Sequence, residues 1–333
     1  MVKKNQIKRT LLQEVMEKLE AINFKYYDYS EYRSIPRPLL RDYYFAKLLQ
    51  SFESDLSEII ISGNNGRIDG LAILEREPFD TEIFGYPNYK CNIMLLLDEN
   101  INSKRNTIKH LILEVDEYIK KNDQKAYLLV SLNNNNPDSI IIMNELISYG
   151  YYYLHTLITF GFMRSEFDSL HFSNDPEIVI RPAEIKDVEH IVSLAMNSFY
   201  YSRFHLDPSL DKNKANKLLG TSAYNSVVNH FVDIVLVAEL NGKLVGYYSG
   251  KKKLLKELSM QLGEAVISAV DTNMRGHGIF KELNRELIAW FRQNTDFAEM
   301  GTYLGNTPVL RTWTKNGLSI VRGTHQLSKN YSL

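Results

Sequence analysis

The stretch Val266 to Phe291 limits the fold more than any other part of the chain. An apolar, β-type run from Val266 to Val270 passes through Asp271, Thr272 and Asn273 into Arg275-Gly276-His277-Gly278. A segment with apolar residues at Ile279, Phe280, Leu283, Leu287, Trp290 and Phe291 follows. This reads as strand, glycine turn and amphipathic helix. The first amides of such a helix have no intrahelical partner and sit at the positive end of its dipole. Glycines, lacking side chains, let an anionic group such as a diphosphate approach those amides closely. The same turn also meets purely steric needs in many α/β proteins. Its spacing is neither GxxxxGKS/T nor GxGxxG, because Phe280 stands two residues after Gly278 and no Lys-Ser pair follows.

With 333 residues, 44% apolar and 24% charged, the chain holds enough material for two cores of ordinary domain size. The expected division is residues 1–170 and 171–333, parted by the polar passage Ser165 to Pro176. A net charge of −1 gives no general field for nucleic acid, and Lys251-Lys252-Lys253 reads as a solvated strand end, so nucleic acid is not an expected partner. The single cysteine, Cys91, rules out an internal disulfide framework and a cysteine-rich metal site, and it fits a reducing cytoplasm. Its apolar surroundings argue against a nucleophile. The eight histidines show no HExxH or paired spacing, so no metal is expected. Leu11, Leu12, Val15, Met16, Leu19 and Ile22 make the start an amphipathic helix rather than a signal peptide, and no run reaches the length of a membrane span.

The two halves echo each other. In the first, strand-like runs Ile59 to Ser62 and Gly70 to Leu74 flank the hairpin signal Asn64-Asn65-Gly66. A strand Asn92 to Leu97, a helix Thr107 to Lys120, a strand Ala126 to Leu132, a helix Ser139 to Ile147 and a strand Tyr151 to Phe162 follow. An internal duplication is expected. The connection Asp98 to Asn106 has no glycine and begins with two acids, which makes it a poor diphosphate cradle. The first half therefore reads as a degenerate copy. In the second half, Asn241-Gly242 turns a hairpin, Tyr224 to His230 is helical, and Phe297 to Tyr303 is a strand. The helix Gly305 to Leu318 then ends on Gly317, with Asn306 expected to cap it by accepting from its first free amides.

Arg275-Gly276-His277-Gly278-Ile279 resembles the R-G-x-G-x turn of the GNAT superfamily of N-acetyltransferases, in which backbone amides hold the diphosphate of acetyl-CoA. The usual last Gly or Ala is here Phe280, whose ring must point away from the cofactor. The passage IRPAEIKDVEHIVSLA resembles the opening of these domains. Asn306, Val309, Trp313, Gly317 and Leu318 stand at the places of N-x-x-A-x-x-x-Y-x-x-x-G-F. SFYYSRFHLDP, Asn225, TYLGNTPVLRTWTKNGL and, in the first half, EPFDTEIFGYP resemble the nucleotide-sugar N-acetyltransferases typified by TDP-fucosamine acetyltransferase.

The resemblance implies an α/β fold of tandem mixed sheets flanked by helices, the N-terminal copy degenerate. It implies direct transfer of an acetyl group from acetyl-CoA, as co-substrate, to the amine of a nucleotide-linked amino-deoxysugar, with dTDP as the expected nucleotide. Ala269 and Val270 would lie along the thioester, Arg275, Gly276, His277, Gly278 and Ile279 would cradle the diphosphate, and Asn306 would adjoin the cofactor. Trp313 holds the place of the tyrosine that protonates the thiolate; an indole N–H is too weak an acid for that but can donate a hydrogen bond, so Tyr303 or water is the alternative donor. On the substrate side stand Ser202, Arg203, for a phosphate, His205, for the sugar or the amine's proton, and Asn225. Glu264 is a position where relatives place a base. Acetylation of another amine and a non-catalytic acyl-CoA-binding module remain open, although cationic acceptors would want an acidic pocket and Arg203 suits an anion. A homodimer is an allowed assembly.

Overall fold

The computed structural model of the chain describes residues 2–64, 67–98, 100–170, 172, 175–199 and 202–332; Asn65 and Gly66 of the expected hairpin, Glu99, Tyr200 and Tyr201 lie outside them. The chain divides into two compact units, residues 1–156 with 322–333, and residues 157–321. The polar passage expected to part the halves thus lies within the second unit, and the C-terminal strand belongs to the first.

The first unit opens with α1 (Val2–Ala21) and α2 (Arg37–Glu53). β1 (Ser57–Asn64), β2 (Arg67–Arg76), α3 (Pro78–Phe84), β3 (Asn88–Leu96), α4 (Ile101–Asn122), β4 (Lys125–Asn133) and α5 (Asp138–Ser148) follow, and β5 (Tyr152–Met163) begins here. β1, β2 and β3 pair antiparallel, β3 and β4 parallel, and β4 pairs antiparallel with β11 (Ser319–Ser332). The core gathers apolar residues of β2, β3 and β4 against Ile108, Leu111, Ile112, Val115 and Ile119 of α4. α4 starts six residues before its expected first turn because the side chain of Asn100 accepts from the amides of Asn102 and Ser103. A buried polar knot fastens the C-terminal strand: Tyr331 and Tyr151 donate to Asp116, which also pairs with Lys329. Burial and the neighbouring carboxylate push both tyrosine hydroxyls far above the ordinary phenol range.

The second unit holds residues 157–163 of β5, then β6 (Ile178–Pro182), α6 (Val188–Asn197), α7 (Arg203–Leu206), α8 (Lys212–Val228) and β7 (Ile234–Leu240). β8 (Lys243–Leu255), β9 (Met260–Val270), α9 (Ile279–Asn294), β10 (Phe297–Tyr303) and α10 (Thr307–Lys315) complete it. β6 to β9 pair antiparallel in sequence order, β9 and β10 pair parallel, and β10 pairs antiparallel with β5. α9 covers one face of this sheet through Ile279, Leu283, Leu287, Ile288 and Phe291. α6 and α8 cover the other through Ile191, Ala195, Ala223 and Val227, packed on Val235, Val237, Tyr247 and Ala269. α8 begins well before the helical spacing around Tyr224 suggested, because Asp211 caps it through the amides of Asn213 and Lys214. No described helix is long and apolar enough to cross a membrane.

Candidate active site

The turn from β9 into α9 is bare. Asp271 closes its first part by accepting from the amide of Asn273. Gly276 and Gly278 then adopt φ of 86° and 78°, a left-handed conformation that admits glycine without strain. A Cβ on Gly276 would meet nothing within 4 Å, and one on Gly278 would meet only the Lys281 side chain at 3.9 Å. Backbone conformation, not crowding, therefore requires glycine here. Among the described residues, no side chain caps the first amides of α9. The Lys281 ammonium leans over the turn and pairs with the buried carboxylate of Glu282 at 3.0 Å. His277 folds back, its Nδ1 donating towards the carbonyls of Arg275 at 3.2 Å and Met274 at 3.3 Å. The Phe280 ring turns inward, 5.6 Å from Tyr248 and 6.4 Å from Trp313. Neither aromatic plugs the corner, and a cleft of about 380 Å³ opens beside Gly276, His277 and Gly278, lined also by Asp175, Glu177, Ile178 and Leu240.

Beside this turn the sheet parts. The β9–β10 ladder comprises Phe297↔Leu262, Ala298↔Gly263 and Glu299↔Glu264, yet β9 continues to Val270 and β10 to Tyr303. Glu264 to Ser268 are consequently all half-exposed, unusual for a strand in the middle of a sheet. β9 also bulges where Ser249 faces Val266 and Ile267. The fully buried Ser249 hydroxyl lies 3.3 Å from the amide and 3.2 Å from the carbonyl of Ile267 and fixes the bulge. In-register residues of parallel strands leave a sheet on the same face, so Glu264 and Glu299 do so, with Gly301 and Tyr303 two and four residues further along β10. Glu264 pairs with Lys251 at 3.3 Å. Tyr303 lies against Gly305, where a Cβ would come within 2.3 Å of its ring. Asn306 stands at the start of α10 but caps nothing with its side chain; its Nδ2 instead donates to Thr302 Oγ1 at 2.8 Å, which corrects the cap expected from sequence.

The substrate-side residues cluster around α7. Ser202 Oγ and Asn216 Oδ1 each lie 2.7 Å from a ring nitrogen of His205. The Arg203 guanidinium lies over the Phe204 ring, 4.3 Å from its centroid. Arg275 donates to the carbonyl of Ser198 at 2.8 Å, tying the C-terminal end of α6 to the glycine turn. Asn225 accepts from Asn229 on α8.

Residues 192–318 match the model of the acetyltransferase (GNAT) family. The matched stretch lies within the second unit. Among curated proteins, the chain is 22% identical over 186 residues to the spore coat polysaccharide biosynthesis protein SpsD of Bacillus subtilis (strain 168); the alignment spans 56% of this chain and 60% of that protein's length. Among solved structures, a GCN5-related N-acetyltransferase from Sphaerobacter thermophilus superposes with a TM-score of 0.58 at 13% identity, over 87% of this chain and 86% of the other. A tandem GNAT protein from the clavulanic acid biosynthesis pathway superposes with a TM-score of 0.52 at 11% identity, over 97% and 95% of the two chains. The tandem GNAT-type architecture expected from sequence is thus the fold observed.

Within the matched stretch, Trp313 is not poised at a surface. It is 1% exposed, 5.3 Å from the Phe160 ring, and its Nε1 donates to Asn284 Oδ1 at 3.0 Å. That hydrogen bond already uses the only proton the indole can donate. Ala269 and Ile279 are buried. Asn216, Lys281, Ser249 and Glu299 went unnoticed in the sequence. Lys281, three residues after Gly278, was the one legible from spacing alone.

Proposed function

We propose that the chain transfers an acetyl group from acetyl-CoA directly to the amine of a nucleotide-linked amino-deoxysugar, with dTDP as the nucleotide. The observation that carries this reading is the half-exposed run Glu264 to Ser268, a central strand opened towards a bare helix N-terminus. Acetyl-CoA supplies an activated acetyl thioester. The amides at the start of α9, with the Lys281 ammonium beside them, suit its diphosphate. A backbone N–H of β9 beyond the ladder suits the thioester oxygen, held by the bulge that Ser249 fixes. With Trp313 committed to Asn284, Tyr303 is the proton donor for the departing thiolate. The sugar acceptor is supported by the relative named for polysaccharide biosynthesis and by Arg203, a cation suited to a nucleotide phosphate. One buried cysteine fits a reducing cytoplasm as the compartment.

Thiol release from acetyl-CoA, measured across dTDP- and UDP-linked amino sugars, tests this reading. Release with a dTDP-amino sugar is the expected outcome; release only with other amines would move the acceptor class. The burial of Trp313 favours a second reading, an acyl-CoA-binding module without transfer. Acetyl-CoA uptake without release on any amine would support it, and no uptake would end both.

A further inference from the structure

Two hydrogen bonds around α7 form a chain that nucleotide-sugar binding alone does not require. His205 Nε2 lies 2.7 Å from Asn216 Oδ1, and its Nδ1 lies 2.7 Å from Ser202 Oγ. An amide oxygen carries no proton, so Nε2 must carry the hydrogen of that bond. In the neutral ring Nδ1 then holds a lone pair, and the Ser202 hydroxyl donates to it. Asn216, which α8 holds in place, sets the tautomer, and together with Ser202 it sets the ring orientation. Arg275 ties the C-terminal end of α6 to the glycine turn through Ser198. α6 and α8 pack on the face of the sheet that carries Tyr247 and Ala269. The register continues that face through Lys251, opposite Glu264, to Glu264, Glu299 and Tyr303.

We propose that Ser202 and His205 form a proton relay for the acceptor amine, with Asn216 as the positioning residue that fixes His205 as the Nε2–H tautomer. The relay rests on the acetyl-transfer reading above. As the acceptor nitrogen bonds to the acetyl carbon and the carbon–sulfur bond breaks, the surplus proton on nitrogen passes to Ser202 Oγ. Ser202 passes its own proton to His205 Nδ1, and the electron pair of the broken bond leaves with sulfur. His205 ends as an imidazolium whose two N–H groups point at Ser202 and at Asn216 Oδ1. The amide stabilises that cation by its dipole without adding a carboxylate charge that would repel an anionic nucleotide.

The test uses the full chain labelled with 15N-histidine. Imidazole NMR should show His205 as a single Nε2–H tautomer in the wild type and as a mixture in Asn216→Leu. Asn216→Asp, which keeps the accepting oxygen, should restore the single tautomer. With a dTDP-amino sugar, Asn216→Leu and Ser202→Ala should lower kcat by roughly 100-fold with the KM for acetyl-CoA unchanged. A tautomer indifferent to Asn216→Leu, or an unchanged kcat in Ser202→Ala, would overturn the relay. Calorimetric acetyl-CoA binding to the same variants separates the two levels. Binding retained with the relay disproved leaves acetyl transfer standing, whereas absence of binding in the wild type removes both.

Discussion

The same junction, strand to helix beside a parting parallel pair, occurs once in each unit with opposite chemistry. In the first, the amides opening α4 are taken by Asn100, whose own amide bonds to Asp98 Oδ1. In the second, the amides opening α9 are left bare by Gly278. The strands differ in parallel. The β3–β4 ladder ends at Cys91↔Val130, and beyond it, past the exposed Asn92, Ile93 to Leu96 are all buried, as is Leu132. The β9–β10 ladder ends at Glu299↔Glu264, and beyond it β9 is half-exposed through Ser268. One copy has filled its opening with apolar side chains and capped its helix; the other has kept both open. A fold that tolerates either solution locates function in the difference, not in the shared topology.

Breaking the open junction should have the largest effect. Gly278→Val forces a β-branched residue into a left-handed conformation and places a side chain over the cradle, so the KM for acetyl-CoA should rise by roughly 100-fold, or close to 3 kcal/mol. Removing the hydroxyl in Tyr303→Phe should lower kcat by roughly 100-fold with little change in KM. Gly305→Ala should act in the same direction, because its Cβ would displace the Tyr303 ring. Trp313→Tyr should retain turnover while losing about 1–3 kcal/mol of stability in denaturant titration, because Asn284 Oδ1 loses its donor inside the core. On the closed side, Asn100→Ala should cost about 1 kcal/mol of stability and leave acetyl-CoA kinetics untouched.

The smallest effect concerns pH. Burial lowers the folded-state pKa of His325, in the first unit, below its ordinary 6.5. Above that value the ring is neutral folded or unfolded; as pH falls through it, unfolded chains take up a proton that folded chains resist, so stability declines. In the second unit the hydrogen bond from Arg181 lowers the pKa of Asp187, so its contribution persists until pH drops below the ordinary carboxylate value of 3.8 and through the lower folded one. Acid should therefore weaken the first unit sooner. Both tryptophans, Trp290 and Trp313, lie in the second unit, so melts followed by far-UV circular dichroism should shift between pH 6.5 and 4 before those followed by tryptophan fluorescence. His325→Gln should remove the difference.

The contrast was largely legible in the sequence because it is local. Glycine at Gly276 and Gly278, and its absence from Asp98 to Asn106, state what each backbone turn can do. The strand and helix order followed from apolar spacing for the same reason. Long-range facts were hidden. Which strand closes which unit depends on pairing between distant segments, so the C-terminal strand's place beside β4 had no local signal. Polar spacing could not tell that Asn306 would turn to Thr302 instead of its own helix, since a cap and a side-chain bond use the same residue type. Trp313 matched the position of a catalytic tyrosine, yet only packing reveals that its N–H is spent on Asn284. Asn216 faces His205 from another helix, a meeting no spacing rule anticipates.

Calorimetric titration of the intact chain with acetyl-CoA tests the central claim most directly. One molecule should bind per chain, with binding lost in Gly278→Val and unaltered in Asn100→Ala. Two sites per chain, no uptake, or uptake that survives Gly278→Val would contradict the assignment of the open junction as the cofactor cradle.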